Sequence, residues 1–184
     1  MGRRKVQCFA NMNNSITFVL GGARSGKSGL AERIIASRGR LKVYIATAQA
    51  WDAEMAERIV EHVRQRGPDW LTLDAPMDLT AAIAQTPSDA ALLIDCLTLW
   101  LSNRMLAEQW DETDWLAVEA ALTARTGPTV LVSNEVGLSI VPDTPLGRRF
   151  RDVQGRLNQA VAARADTVLL VAAGLPLALK GELP

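Results

Sequence analysis

Short apolar runs alternate along this chain with stretches whose apolar residues recur at helical spacing. Ile16–Leu20, Leu41–Thr47, Ala90–Asp95, Thr129–Ser133 and Thr167–Ala172 are aliphatic and rich in β-branched residues, the pattern of strands buried on both faces of a parallel sheet. Trp70–Leu73 is shorter and alternates, and Leu175–Leu179 extends the last run as a hairpin across Gly174 and Pro176. Helical spacing covers residues 52–66, 78–85, 97–108, 113–125 and 146–164. Strands alternating with helices predict an α/β fold with a mainly parallel sheet and a C-terminal antiparallel hairpin. Residues 15–184 read as a single domain without repeats or low-complexity tracts, preceded by a basic extension over 1–14 that is expected to be mobile.

The join between the first strand and the first helix adds chemistry to that outline. Gly21-Gly22-Ala23-Arg24-Ser25-Gly26-Lys27-Ser28 has the form G-x-x-x-x-G-K-S, the order strand, glycine-rich loop, helix that a phosphate-binding P-loop needs. Glycines let backbone N–H groups turn inward around phosphate oxygens, and the helix N-terminus adds partial positive charge. Lys27 is expected to reach the β- and γ-phosphates, and Ser28 to offer its hydroxyl to Mg²⁺. With this loop the fold class sharpens to a P-loop NTPase sandwich of three layers, RecA-like. Sheets of this kind bind ligands outside the carboxyl ends of their strands. That rule makes neighbours of Gly21–Ser28, Ala46, Thr47, Ala48, Asp95 and the segment Ser133-Asn134-Glu135.

Composition changes the picture only by exclusion. Hydrophobic content of 48% with 22% charged residues is that of a soluble globular protein. Twenty basic and twenty acidic side chains cancel, which argues against a broad electrostatic footprint for nucleic acid. No apolar run approaches transmembrane length, so no membrane insertion is expected. Cys8 and Cys96 supply neither a disulfide framework nor metal spacing, and the chain reads as cytoplasmic.

Several residues admit two readings on spacing alone. Asp95 ends an apolar strand, where P-loop proteins place the acid that helps hold Mg²⁺; a strand-end or capping aspartate is the competing reading, and the glycine-rich loop favours the first. His62 is the single histidine, at the border of a helical stripe defined by Met55, Ile59, Val60 and Val63, with Arg58 and Arg66 a turn away on either side. It is either a structural or exposed residue or a nucleophile toward phosphorus, with arginines steadying the phosphates. Arg148, Arg149, Arg151 and Arg156 form either a solvated helix face or an anion-recognition surface. Trp51, Trp70, Trp100, Trp110 and Trp115 are expected in the core or at an interface, with one or two available to line a pocket.

Six segments read together are more specific than any one of them: Gly21–Ser28, Tyr44–Thr47, Asp52–His62 with its Arg-Ile-x-x-His ending, Leu93–Thr98, Ser133–Gly137 and Arg148–Gln159. In their order and spacing, from Ser15 to Lys180, the chain resembles the bifunctional adenosylcobinamide kinase/adenosylcobinamide-phosphate guanylyltransferase family of cobalamin biosynthesis. The resemblance implies two reactions. ATP or GTP phosphorylates the hydroxyl of the aminopropanol arm of adenosylcobinamide, and GTP then gives GMP to the resulting phosphate through a GMP–histidine intermediate. His62 matches that histidine, and His62 and Lys27 become the catalytic residues. Gly21, Gly22, Ala23, Arg24, Ser25, Gly26, Lys27, Ser28, Ala46, Thr47, Ala48, Val63, Arg64, Gln65, Arg66, Asp74 and Asp95 become the nucleotide-binding set, with Ser28 and Asp95 as Mg²⁺ ligands. Asp74 matches a position usually held by glutamate. The family also implies a homotrimer with sites at subunit boundaries. A monofunctional P-loop kinase with His62 idle, and a nucleotide-dependent switch, are the competing readings. The switch is the weaker of the two, because the chain has no Asn-Lys-x-Asp guanine-reading motif.

Overall fold

The computed structural model describes residues 14–38, 41–49, 57, 64 and 66–184. Most of the extension, Trp51, and most of the helix expected over 52–66, including His62, Val63 and Gln65, lie outside the described residues; of the expected helix, Glu57, Arg64 and Arg66 are described and helical. The described elements run β1 (Ile16–Gly21), α1 (Lys27–Ala36), β2 (Lys42–Ala46), β3 (Trp70–Asp74), α2 (Leu79–Ala84), β4 (Ala91–Asp95), α3 (Leu97–Leu106), α4 (Thr113–Thr123), β5 (Thr129–Asn134), α5 (Pro145–Arg164), β6 (Thr167–Ala172) and β7 (Leu175–Lys180). Each expected boundary in these segments falls within two residues of the observed one.

These elements build one seven-stranded sheet in the order β3-β2-β4-β5-β1-β6-β7, with helices packed on it. Its pairs are parallel except β6 with β7, which is antiparallel across the Ala173-Gly174 turn. Side chains alternate between two buried clusters because successive strand residues point to opposite faces. Ile16, Phe18, Leu20, Val43, Ile45, Leu92 and Ile94 meet α2, α3, α4 and α5 on one face. Val19, Tyr44, Leu93, Val130 and Val132 meet Ala31, Ile34 and Ile35 of α1 on the other. The apolar runs therefore bury both faces, each full burial of a large aliphatic or aromatic side chain contributing roughly 1.5–3 kcal/mol before entropy is subtracted. The two edges differ. Trp70–Asp74 is only partly covered, and Leu175, Leu177 and Leu179 of β7 are exposed.

Local chemistry fixes where the helices begin. Asp78 caps α2 by accepting from Ala81 N–H at 2.9 Å, and Thr144 caps α5 by accepting from Gly147 N–H at 3.1 Å, with Pro145 at the first helical position. Arg125, just past α4, is only 3% exposed. Its guanidinium donates to the Thr86 hydroxyl and to Ala90 O at 2.7 Å, tying α4 to the loop that feeds β4 so that Asp95 is delivered to a fixed height.

Candidate active site

The carboxyl ends of β1, β2, β4 and β5 converge on one rim, and the glycine-rich loop occupies its centre. Gly21 is the last residue of β1 and Lys27 the first of α1. Between them Gly26 takes φ 93°, a left-handed conformation natural to glycine. A side chain at Gly26 would press on Gly174, whose N–H donates to Ser25 O at 2.9 Å. The β6–β7 turn thus braces the loop from beneath. In the sequence Gly174 stands out only as a turn; its role as a brace depends on β6 lying beside β1, which periodicity does not carry. Lys27 is 9% exposed and its Nζ donates to Gly22 O at 3.1 Å. Ser25 Oγ is buried and has no hydrogen-bond partner among the described residues. Gly22, Ala23 and Arg24 are exposed, and Ser28 is half-buried in the first turn of α1.

The second part of the rim is a clasp between β2 and β4. Ala46 is in register with Asp74 on one side and Asp95 on the other, so the two carboxylates end strands flanking β2 at one level. Beyond Ala46, Thr47 N–H donates to Asp95 O at 3.3 Å, and Thr47 Oγ1 donates to Cys96 O at 2.7 Å while accepting from Cys96 N–H at 2.8 Å. Asn103 of α3 reaches back, donating from Nδ2 to Thr47 O at 2.9 Å and to Pro76 O at 3.1 Å. Thr47 is fully buried, so it shapes the rim, while Ala48 beside it is half-buried. Cys96 is buried, which together with the Asp95 carboxylate pushes its thiol up to about 12. It stays a neutral packing residue, in keeping with its apolar surroundings.

Electrostatics tie the rim to the segment that precedes β3. The Tyr44 hydroxyl is held far above its ordinary range, first by burial and then by the nearby Asp95 charge. Arg66 stacks its guanidinium 3.5 Å from the Tyr44 ring centre, a cation–π contact. Arg66 is therefore engaged with Tyr44, and Arg64 is exposed. His62, Val63 and Gln65, the other site residues expected in this stretch, lie outside the described residues.

The third part is the end of β5. Asn134 is in register with Gly21, and Glu135 N–H donates to Gly21 O at 3.1 Å. Glu135 Oε1 accepts from Gly137 N–H at 2.6 Å, turning its carboxylate onto its own loop. Sequence reasoning named the strand-end segment but missed the network behind it, in which Thr98, Ser133, Gln154 and Asn158 are buried and joined by hydrogen bonds. The available signal was a polar pair at i, i+4, Gln154 and Asn158, on the stripe formed by Val153, Leu157 and Val161. The arginines of α5 take several partners. Arg148 donates to Pro142 O and Asp143 O, Arg151 pairs with Asp152, and Arg156 pairs with Glu112.

Chemically, a glycine-rich loop, a cation at Lys27 and a helix start are the parts from which phosphate sites are built. The Ser28 hydroxyl and the Asp95 carboxylate are hard oxygen donors of the type Mg²⁺ takes alongside phosphate oxygens. Comparisons with known proteins identify relatives of the whole chain. Residues 17–179 match the family model described as cobinamide kinase / cobinamide phosphate guanyltransferase (CobU). The chain is 47% identical to the bifunctional adenosylcobalamin biosynthesis protein CobP of Pseudomonas aeruginosa, covering 89% of this chain and 96% of that protein. It is 40% identical to the bifunctional adenosylcobalamin biosynthesis protein CobU of Salmonella typhimurium, covering 88% and 98%. Among solved structures, the flagellar accessory protein FlaH of Methanocaldococcus jannaschii superposes with a TM-score of 0.56 at 13% identity, over 91% of this chain and 79% of that one. A type III secretion ATPase gives 0.56 at 11% identity over 90% of this chain, which spans 57% of that protein's length. These two likenesses concern the fold alone: an α/β sandwich with a mostly parallel sheet. By the match over nearly its whole length, the chain belongs to the cobinamide kinase / cobinamide phosphate guanyltransferase family.

Proposed function

We propose that this protein phosphorylates adenosylcobinamide with ATP or GTP and then transfers GMP from GTP to adenosylcobinamide phosphate, giving adenosyl-GDP-cobinamide in cobalamin biosynthesis. The observation that carries the reading is the family match from residue 17 to 179, which spans both the phosphate cradle and the histidine-bearing segment. In the first reaction the acceptor oxygen bonds to the γ-phosphorus as the β–γ bridging bond breaks. The nucleoside diphosphate leaves and the hydroxyl proton passes to water. Catalysis of such a transfer is mainly positioning and charge stabilisation. Gly21–Gly26 supply backbone donors, Lys27 supplies the cation, and Ser28 and Asp95 would hold Mg²⁺, which when bound neutralises phosphate charge. In the second reaction an imidazole nitrogen of His62 attacks the α-phosphorus of GTP and expels pyrophosphate. An oxygen of adenosylcobinamide phosphate then takes the GMP and frees the imidazole. A covalent intermediate divides one difficult displacement into two easier ones.

The remaining nucleotide contacts fall to Ala46 and Ala48 on the rim, whose shape the buried Thr47 sets, to Asp74 and Arg64, and to Val63, Gln65 and Arg66 beside His62. For Arg66 that assignment requires release from Tyr44, 3.5 Å away. The RecA-like form of the sandwich is supported by β5 lying between β1 and β4. A homotrimer is supported by apolar surface on β7 (Leu175, Leu177, Leu179) and on the loop after β5, where Ile140 is 93% exposed. The nucleotide and corrinoid substrates favour a cytoplasmic location. Mass spectrometry of a mixture of protein, adenosylcobinamide, GTP and Mg²⁺ tests the reading. A phosphoryl increment followed by a guanylyl increment is expected; a corrinoid that stops at the phosphate identifies a monofunctional kinase instead.

A further inference from the structure

Asn134 combines an anchored backbone with an unsatisfied side chain. It ends β5, the strand between β1 and β4, so it stands between the glycine-rich loop and Asp95. Its N–H donates to Thr98 Oγ1 at 2.7 Å, and its carbonyl accepts from Asn158 Nδ2 at 3.1 Å. Behind it Ser133 Oγ donates to Asn158 Oδ1 at 2.8 Å, and Gln154 Nε2 donates to Ser133 Oγ at 3.0 Å and to Asn158 Oδ1 at 2.9 Å. The strand end is thereby bound to α3 and α5 through residues that are at most 6% exposed. Yet Asn134 Oδ1 is itself buried and has no hydrogen-bond partner among the described residues. Buried polar atoms are nearly always paired, and an exception in a rim that binds substrate calls for a ligand as the missing partner. A carboxamide oxygen only accepts, so the partner must bring a hydrogen. The ionised phosphate oxygens that the adjacent loop would hold bring none, whereas the acceptor alcohol does.

We propose that the Asn134 carboxamide, uncovered as substrate enters the rim, accepts a hydrogen bond from the acceptor hydroxyl of the kinase reaction and orients its lone pair toward the γ-phosphorus. This rests on the two-reaction reading above. An amide takes up no proton, so Asn134 positions the hydroxyl while the proton leaves to water as the new oxygen–phosphorus bond forms and the β–γ bridge breaks. Gln154 and Asn158 are positioning residues that hold the strand end at its height.

Asn134→Leu keeps the branched outline of the side chain and removes both polar atoms. We expect corrinoid phosphorylation to slow about 100-fold, the size of effect seen when one oriented active-site hydrogen bond is removed. The unfolding midpoint should not fall, because the lost oxygen had no partner, and covalent labelling by GTP carrying a labelled α-phosphate should persist. A variant phosphorylating at the wild-type rate overturns the inference while leaving the two-reaction reading intact. So does a loss of rate that follows a lowered unfolding midpoint, or one that raised Mg²⁺ restores, or one shared equally by the labelling reaction. Wild-type protein that turns over no corrinoid overturns the reading and this inference with it.

Discussion

Replacing Lys27 with alanine should slow phosphoryl transfer about 1000-fold, with an unfolding midpoint close to that of the native chain. The size follows from the charge that the lysine is asked to neutralise. Removing one preorganised donor at a site of developing charge typically costs two to three orders of magnitude, or about 4 kcal/mol at the upper end. Lys27 is well placed to deliver this, because the first turn of α1 and the loop enclose it until it is 9% exposed. In the proposed reaction its hydrogen bond to Gly22 O, 3.1 Å long, is exchanged for phosphate oxygens. Loss of that contact to an exposed glycine changes stability little, since a typical hydrogen bond nets about 1 kcal/mol. Steady-state phosphorylation of adenosylcobinamide beside a thermal melt measures both. A rate within about tenfold of the native enzyme would mean that the cradle is not where the γ-phosphoryl group is transferred.

Gly21→Ala is the complementary experiment, because it tests the loop's shape and leaves its charge alone. A β-carbon at Gly21 would stand 2.6 Å from the backbone carbonyl oxygen of Val171 and 3.2 Å from Ser25 Cβ. Neither neighbour yields easily. Val171 belongs to β6, paired in register with Gly21, and Ser25 is enclosed by the loop. Relief therefore requires β6 to separate from β1 or the loop to open. Overpacking of this kind costs about 1–3 kcal/mol, and an opened loop should weaken ATP binding by about tenfold or more on the same scale. The next residue, Gly22, serves as the stability control, because a β-carbon there would meet nothing within 4 Å. Gly22→Ala should melt with the native protein, and equal melting of both variants would contradict the packing account.

The inner strands were legible in the sequence because each is a local apolar run enclosed on both faces, and no tertiary information is needed to recognise one; β3 and β7, at the partly covered edges, were carried by alternation and by the turn at Gly174. The glycine-rich loop was legible for a related reason: its chemistry sits in eight consecutive residues. The strand-end rule also brought Thr47, Asp95 and Asn134 to one rim correctly, since every strand but β7 points the same way. What stayed hidden depends on which strands become neighbours. The brace from Gly174 exists only because β6 pairs with β1. The clasp of Thr47 with Cys96 and Asn103 joins residues 49 and 56 positions apart. Arg66 could not be assigned to Tyr44 from helical spacing, because a guanidinium stacked on a ring leaves no periodic trace. Gln154 and Asn158 were masked by their own helix, whose arginines drew attention to the solvent face while the polar pair faced inward. His62 itself rests on its motif and on the family, and lies outside the described residues.

The central claim is that one chain performs two transfers, the second through His62. It is tested most directly by incubating the protein with GTP labelled at the α-phosphate and Mg²⁺, denaturing it, and measuring retained label. The account predicts an acid-labile, base-stable label on the native protein and none on His62→Ala, which should still phosphorylate adenosylcobinamide. Equal labelling of the two proteins, or no label on either while GDP-cobinamide is still made, would contradict it.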